Sequence, residues 1–191
     1  SRGLGDVYKR QNYGYGKVIS MMLISGLFSI VVIGVLFANM LHYIDDVNAA
    51  DQAVKICRIN VNTSARNIRE MALNNDTSAY DSYEQNVKKL LTEVDSQLEI
   101  LKKTKVLPDE EYNEYASALS DWGNIGYSII EEIKNGEKEK AIDEIFNSCT
   151  PALNKLVEIA IRLDEITDEV SEQSARTTII FAVAGMVCII I

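Results

Sequence analysis

The chain has 191 residues, a formal net charge of −9, two prolines and 47% hydrophobic residues, yet its apolar residues collect near both ends, so the average describes neither part. The stretch 45–176 holds 27 acids against 15 bases, a net of −12 that excludes nucleic acid as a partner, because attraction to phosphate needs the opposite sign. No phosphate-binding glycine loop, HExxH motif, cysteine cluster or Ser/His/Asp set occurs, so no catalytic residue, metal ligand, cofactor or enzyme activity is expected.

Residues 1–17 carry Arg2, Lys9, Arg10 and Lys17 against the single acid Asp6, with glycines and tyrosines between them. They read as a short irregular lead, placed in the cytoplasm by its positive charge. Residues 18–44 follow as 27 positions without a formal charge, longer than the roughly 20 needed for a transmembrane helix. A cleaved signal peptide is the competing reading, but the run exceeds a signal's apolar core and lacks a small-x-small site after it. His42, the only histidine, falls at the outer edge of this run beside Tyr43, a position that suits a membrane interface better than a metal site.

From residue 45 to 176 the apolar residues recur at alternating spacings of 3 and 4, which predicts helices throughout. A first helix carries Val47, Ala50, Val54, Cys57, Val61, Ser64, Ile68 and Met71 on one face, and ends near Asn74-Asn75-Asp76, residues that favour turns and caps. The second runs from about Ser78 to Lys105 with Tyr80, Tyr83, Val87, Leu90, Val94, Leu98 and Leu101 on its seam. Pro108-Asp109-Glu110-Glu111 opens the third, proline and acids being favoured in a first turn. Its seam holds Tyr112, Tyr115, Leu119, Trp122, Ile129, Ile130 and Ile133 before Asn135-Gly136 closes it. The fourth begins near Glu137 with Ile142, Phe146, Cys149, Leu153, Leu156, Ala160, Leu163 and Val170 at seam spacing. Pro151 interrupts it, either as a simple kink or by freeing carbonyls to line a pocket.

Short connections between long helices force antiparallel neighbours. The fold class is therefore all-α, an up-down-up-down four-helix bundle flanked by two transmembrane helices. The second of these, 177–191, is 15 uncharged residues and reads as a membrane segment cut short, with an output region expected beyond it. Residues 45–176 are placed outside the cytoplasm, in a multi-pass protein of the inner or plasma membrane.

Cys57 and Cys149 lie at heights that differ by about 20 Å if both helices run straight, using 1.5 Å per residue, too far for an intramolecular disulfide. Cys57 falls on the first seam, as a core residue or as a disulfide partner for a second copy; Cys188 reads as a small hydrophobe in the membrane. Asn62-Thr63-Ser64 and Asn75-Asp76-Thr77 match a glycosylation pattern that is common by chance.

Arg66 and Arg69 are one helical turn apart. Counting to the same height on the fourth helix reaches Lys155, with Thr150 and Asn147 slightly farther out, so Arg66, Arg69, Thr150 and Asn147 form a candidate ligand site. Guanidinium groups opposite hydroxyl and amide would grip a carboxylate through charge-assisted bonds. The competing reading is ordinary salt bridging, with Glu70, Asp76 or the acids of the second helix. Ile56, Ile59 and Ile125 lie off the main seams and would supply the face of a homodimer.

The order of basic lead, membrane helix, four-helix bundle and second membrane helix resembles the N-terminal half of a bacterial methyl-accepting chemotaxis receptor. Nearly the whole chain is covered in architecture; the stretch Cys57-Arg58-Ile59-Asn60-Val61-Asn62-Thr63-Ser64-Ala65-Arg66-Asn67-Ile68-Arg69 and the Asn135-Gly136 turn before a proline-bearing helix carry it in sequence. The resemblance implies a homodimeric receptor for a small molecule such as an amino acid or organic acid, coupled through a missing cytoplasmic region to the CheA kinase and CheW. It also implies arginines of the first helix and a threonine of the fourth as ligand contacts, matched here by Arg66, Arg69 and Thr150. Arg58, Arg66 and Arg69 are separated by 8 and 3 residues, a departure from the spacing of amino-acid-sensing members. The input modules of sensor histidine kinases and membrane-bound diguanylate cyclases are similar, and a ligand-free membrane-anchored interaction bundle is a further alternative.

Overall fold

The structure, a computed structural model, describes the backbone of residues 2–190 and the side chains of residues 11–187, which leaves Tyr8, Lys9 and Cys188 outside the described side chains. The elements are α1 (Arg2–His42), a first π turn (Tyr43–Val47), α2 (Asn48–Leu73), a 3-10 turn (Thr77–Ala79), α3 (Tyr80–Thr104), α4 (Asp109–Lys134), α5 (Lys138–Glu144), a second π turn (Ile145–Cys149) and α6 (Thr150–Ile190). No strand occurs among the described residues, and the class is an all-α four-helix bundle. The lead read as irregular is helical from Arg2 onward. Extending an existing helix closes one hydrogen bond for each residue fixed, so its glycines are carried along without a new nucleus.

The molecule divides into two units: one holds the chain up to Tyr43 and from Glu172 onward, the other Ile44–Ser171. In the first unit the part of α1 from residue 18 onward is uncharged and mostly apolar on every side, with Ile24, Leu27 and Ile30 each about two-thirds exposed, a pattern that suits lipid rather than water. The continuous helix that α1 begins is long and apolar enough to cross a membrane. Within this unit α6 approaches α1 closely at Gly185, where a Cβ would sit 2.7 Å from Val32 Cγ1.

The second unit is the bundle. Its pairings are antiparallel, as partners show: Cys57 reaches the Val94 carbonyl and Asn86 donates to Asn67 between α2 and α3. Arg58 bonds Asp164 and Arg69 bonds Thr150 between α2 and α6, so partner numbers fall along one helix as they rise along the other. Every residue expected on the inner face of α2, from Val47 to Met71, is buried. Trp122 is fully buried and Tyr115, Ile129 and Ile133 nearly so, and each large apolar side chain removed from water contributes about 1.5–3 kcal/mol. Ile125, expected on an outer face, packs against this core instead; Ile56 is half-buried and Ile59 exposed.

The turns follow from local chemistry. Asp76 accepts from the Ser78 backbone N–H at 3.0 Å and from its hydroxyl at 2.6 Å, fixing the α2–α3 connection. Pro108 stands just before α4, with Asp109, Glu110 and Glu111 in the first turn, where carboxylates oppose the positive end of the helix. At the α4 C-terminus Gly136 has φ +86°, which a Cβ would disfavour. There Glu137 N–H bonds the Glu132 carbonyl at 2.9 Å and Gly136 N–H bonds that of Ile133 at 3.1 Å, the paired bonds of a Schellman cap. The turns at Asp76 and Gly136 lie at one end of the bundle, joined by Lys138 donating to the Asn74 carbonyl, and this is called here the two-turn end.

Candidate functional site

The second π turn is built by Pro151. Proline has no N–H and its ring collides with the carbonyl four residues earlier, so a regular helix cannot pass through it. Here the chain takes up one extra residue: the Thr150 N–H bonds the Ile145 carbonyl five positions back, and the Thr150 hydroxyl donates to the same carbonyl at 2.8 Å. The π turn thus ends just ahead of the proline, and both the N–H and the hydroxyl of Thr150 bond the Ile145 carbonyl.

That extra residue corrects the seam. Ahead of the π turn the inward positions move back by one, so Ala141 and Ile145 are buried while Ile142 is half-buried and Phe146 is 68% exposed. An unbroken spacing of 3 and 4 carried back from Leu153 selects Phe146 and Ile142, because it has no place for the inserted residue.

Arg69 projects from α2 onto this turn. Its Nη2 donates to the Thr150 hydroxyl at 3.3 Å, and that hydroxyl passes its own proton to the Ile145 carbonyl. The guanidinium is half-buried and has no carboxylate partner among the described residues. A guanidinium offers five donors in a planar fork; this one spends a single donor on a neutral oxygen.

Arg66 and Asn147 are placed differently. The Arg66 side chain is exposed and lies 3.7 Å from Glu70 on its own helix, the salt bridge that was the competing reading. Asn147 is exposed and donates to Asp143 at 2.8 Å, again within its own chain segment. The structure therefore brings Arg69 and Thr150 together and holds Arg66 and Asn147 in contacts one turn away along the helix.

Residues 8–179 match a family model described as a four helix bundle sensory module for signal transduction. The chain belongs to this family, the sensory module of methyl-accepting chemotaxis proteins. No curated protein and no solved structure matches it.

Around the Arg69–Thr150 contact the sensory module is closely packed. Trp122 of α4 is fully buried, and its indole N–H has no hydrogen-bond partner among the described residues. Burial raises the Cys149 thiol above its ordinary range, while the Arg69 charge opposes the shift. Nearer the other end, Cys57 reaches the Val94 carbonyl at 3.8 Å. Burial pushes the Cys57 thiol up to about 12. Both cysteines are free and buried, and Cys57 packs within the core of the bundle. Trp122 carries a signal legible in sequence, a lone tryptophan on a seam position.

Proposed function

We propose that this sensory module is the input half of a transmembrane chemoreceptor that takes a small carboxylate outside the cytoplasm at Arg69. The single observation that supports the reading best is a half-buried guanidinium bonded only to the neutral Thr150 hydroxyl, in a segment where acids outnumber bases 27 to 15. In such surroundings an arginine without a carboxylate is an arginine kept for a ligand. A bound carboxylate would take two N–H groups of the fork and draw Arg69 away from Thr150. Thr150 closes the π turn, and a π turn is a place where a helix can shift by one residue at modest cost. Such a shift in α6 would be the signal, carried by helices through the membrane to a cytoplasmic output that acts on CheA and CheW.

The proposal includes a homodimer and two membrane segments. Ile59, Asn62, Arg66, Arg69 and Leu73 recur at spacings of 3 and 4 on one face of α2, and Ile59 and Leu73 are 61% and 76% exposed. A second copy on this face would cover them and bring a second Arg66 and Arg69 to the ligand.

The test is a thermal-shift and calorimetric screen of the chain in lipid nanodiscs against amino acids, dicarboxylates, amines and sugars, repeated with Arg69→Ala and Arg66→Ala. A ligand that binds only the folded state raises the melting midpoint. Arg69→Ala should weaken a carboxylate ligand by about 10- to 100-fold, the worth of one charged hydrogen bond. A positive shift unchanged in Arg69→Ala would remove the site, and a screen without any shift would favour a partner protein as the input.

A further inference from the structure

The two-turn end of the bundle holds a cavity of about 300 Å³ to which Arg69 does not contribute. It lies between the start of α3, with Thr77, Tyr80 and Asp81, and the connection from α4 to α5, with Ile133, Lys134, Gly136 and Lys138. That volume is at the lower end of those that take small ligands. Tyr80 is 5% and Ile133 1% exposed, so its apolar wall is made by side chains fixed in the core. A Cβ at Gly136 would meet nothing within 4 Å, so the cap of α4 leaves this side open.

The charges around the cavity are unequal. Lys134 lies 3.1 Å from Asp81 and 2.5 Å from Glu84, and Glu84 also holds Lys88 at 2.6 Å, so two ammonium groups and two carboxylates balance one another. Lys138 has no carboxylate partner among the described residues. Its ammonium donates to the Asn74 carbonyl at 2.5 Å and to the Asn75 side-chain oxygen at 3.4 Å, and stands 5.7 Å from the centre of the Tyr80 ring. The Tyr80 hydroxyl donates to the same Asn74 carbonyl at 2.9 Å, which holds ring and ammonium on one atom. An ammonium has three donors, and two neutral oxygens leave one donor and the whole positive charge uncompensated.

We propose that this cavity is a second binding site, for a small monocarboxylate with a short alkyl chain. The carboxylate takes the remaining donor of Lys138, a charge-assisted bond, and the chain covers Tyr80 and Ile133. A second negative group on the ligand would face Asp81, which disfavours dianions, and an amine would meet Lys134 and Lys138. A bare inorganic anion would gain nothing from the apolar wall. The bound molecule would join α3 to the α4–α5 connection at the end of the bundle. The site uses neither Arg69 nor Thr150, so it does not rest on the reading given to them above.

The experiment follows butyrate binding to the full chain in nanodiscs by calorimetry and by carbon-13 methyl resonances of isoleucine, for wild type, Lys138→Met, Arg69→Ala and Lys89→Met, a control at an exposed lysine of α3. Butyrate should shift the Ile133 methyl resonance in wild type, and Lys138→Met should weaken binding about tenfold or more. Lys89→Met and Arg69→Ala should leave the Ile133 shift intact. Equal affinity in wild type and Lys138→Met would overturn the proposal. The wild-type spectra guard against a variant that fails to fold, since butyrate that leaves Ile133 unmoved also overturns it. So does an equal Ile133 shift with butylamine, which reverses the sign of the ligand, or with inorganic phosphate, which has no alkyl chain. Loss of the Ile133 shift in Arg69→Ala would assign butyrate to Arg69 and remove this site alone, so the two proposals fail separately.

Discussion

Arg69 donates to the Thr150 hydroxyl at 3.3 Å across 81 positions of sequence, and Thr150 passes the bond to Ile145 of the second π turn at 2.8 Å. The contact ties α2 to the irregular point between α5 and α6, so that whatever engages Arg69 also loads the π turn.

Thr150→Val keeps the shape and removes both bonds. The loss of one buried acceptor and one donor should cost about 1–2 kcal/mol, read as a lower midpoint in thermal unfolding. Thr150→Ser, which retains the hydroxyl, should recover most of it.

The π turn makes an exact statement about register. Ile145 is 4% exposed and Phe146 68% exposed, so Ile145→Ala should cost about 2–4 kcal/mol and Phe146→Ala no more than about 0.5 kcal/mol. Urea unfolding followed by the fluorescence of Trp122, the one tryptophan, measures both. The reverse order would mean that α5 enters the bundle as an unbroken helix.

Cys57 and Cys149 should both resist alkylation in the folded protein at pH 8. Reaction needs the thiolate, and burial raises both thiols, Cys57 to about 12. Mass spectrometry after maleimide treatment should find these two sites unmodified in buffer and fully modified in denaturant.

Arg58 and Asp164 give a pH-dependent prediction. Arg58 Nη1 lies 3.0 Å from Asp164, whose carboxyl is raised above its ordinary range by burial, with Arg58 the largest opposing influence. Arg58→Ala removes that opposition and raises the carboxyl further. Because a raised carboxyl loses stability as pH climbs from the ordinary aspartate value to the raised one, the deficit of the variant should be smallest in acid and grow toward neutral pH. Midpoints measured at intervals between pH 4 and pH 8 test it; a deficit constant with pH would refute the assignment.

Much of this protein was legible before any coordinates. The spacing of Val47 through Met71 named the buried face of α2, because a helix repeats every 3.6 residues and its core positions must be apolar. Asn135-Gly136 marked the end of α4, because a residue without a Cβ accepts the positive φ found there at least cost. Arg69 and Thr150 were within reach of a height count along two straight helices.

Tertiary structure decided the rest. Helical periodicity says which face of a segment is apolar, but it cannot register a residue inserted midway. Pro151 announced a disturbance without saying whether it would be a kink or a π turn, and so Phe146 was expected where Ile145 lies. Nor does spacing choose a partner for a long charged side chain. Arg66 found Glu70 on its own helix and Arg69 found Thr150 on another, although they stand one turn apart. Glu132 was passed over although it stands at seam spacing from Ile129, three positions on. A charge at such a position marks something buried, and only the packing of α5 against α4 shows that its companion is Lys140, 2.8 Å away.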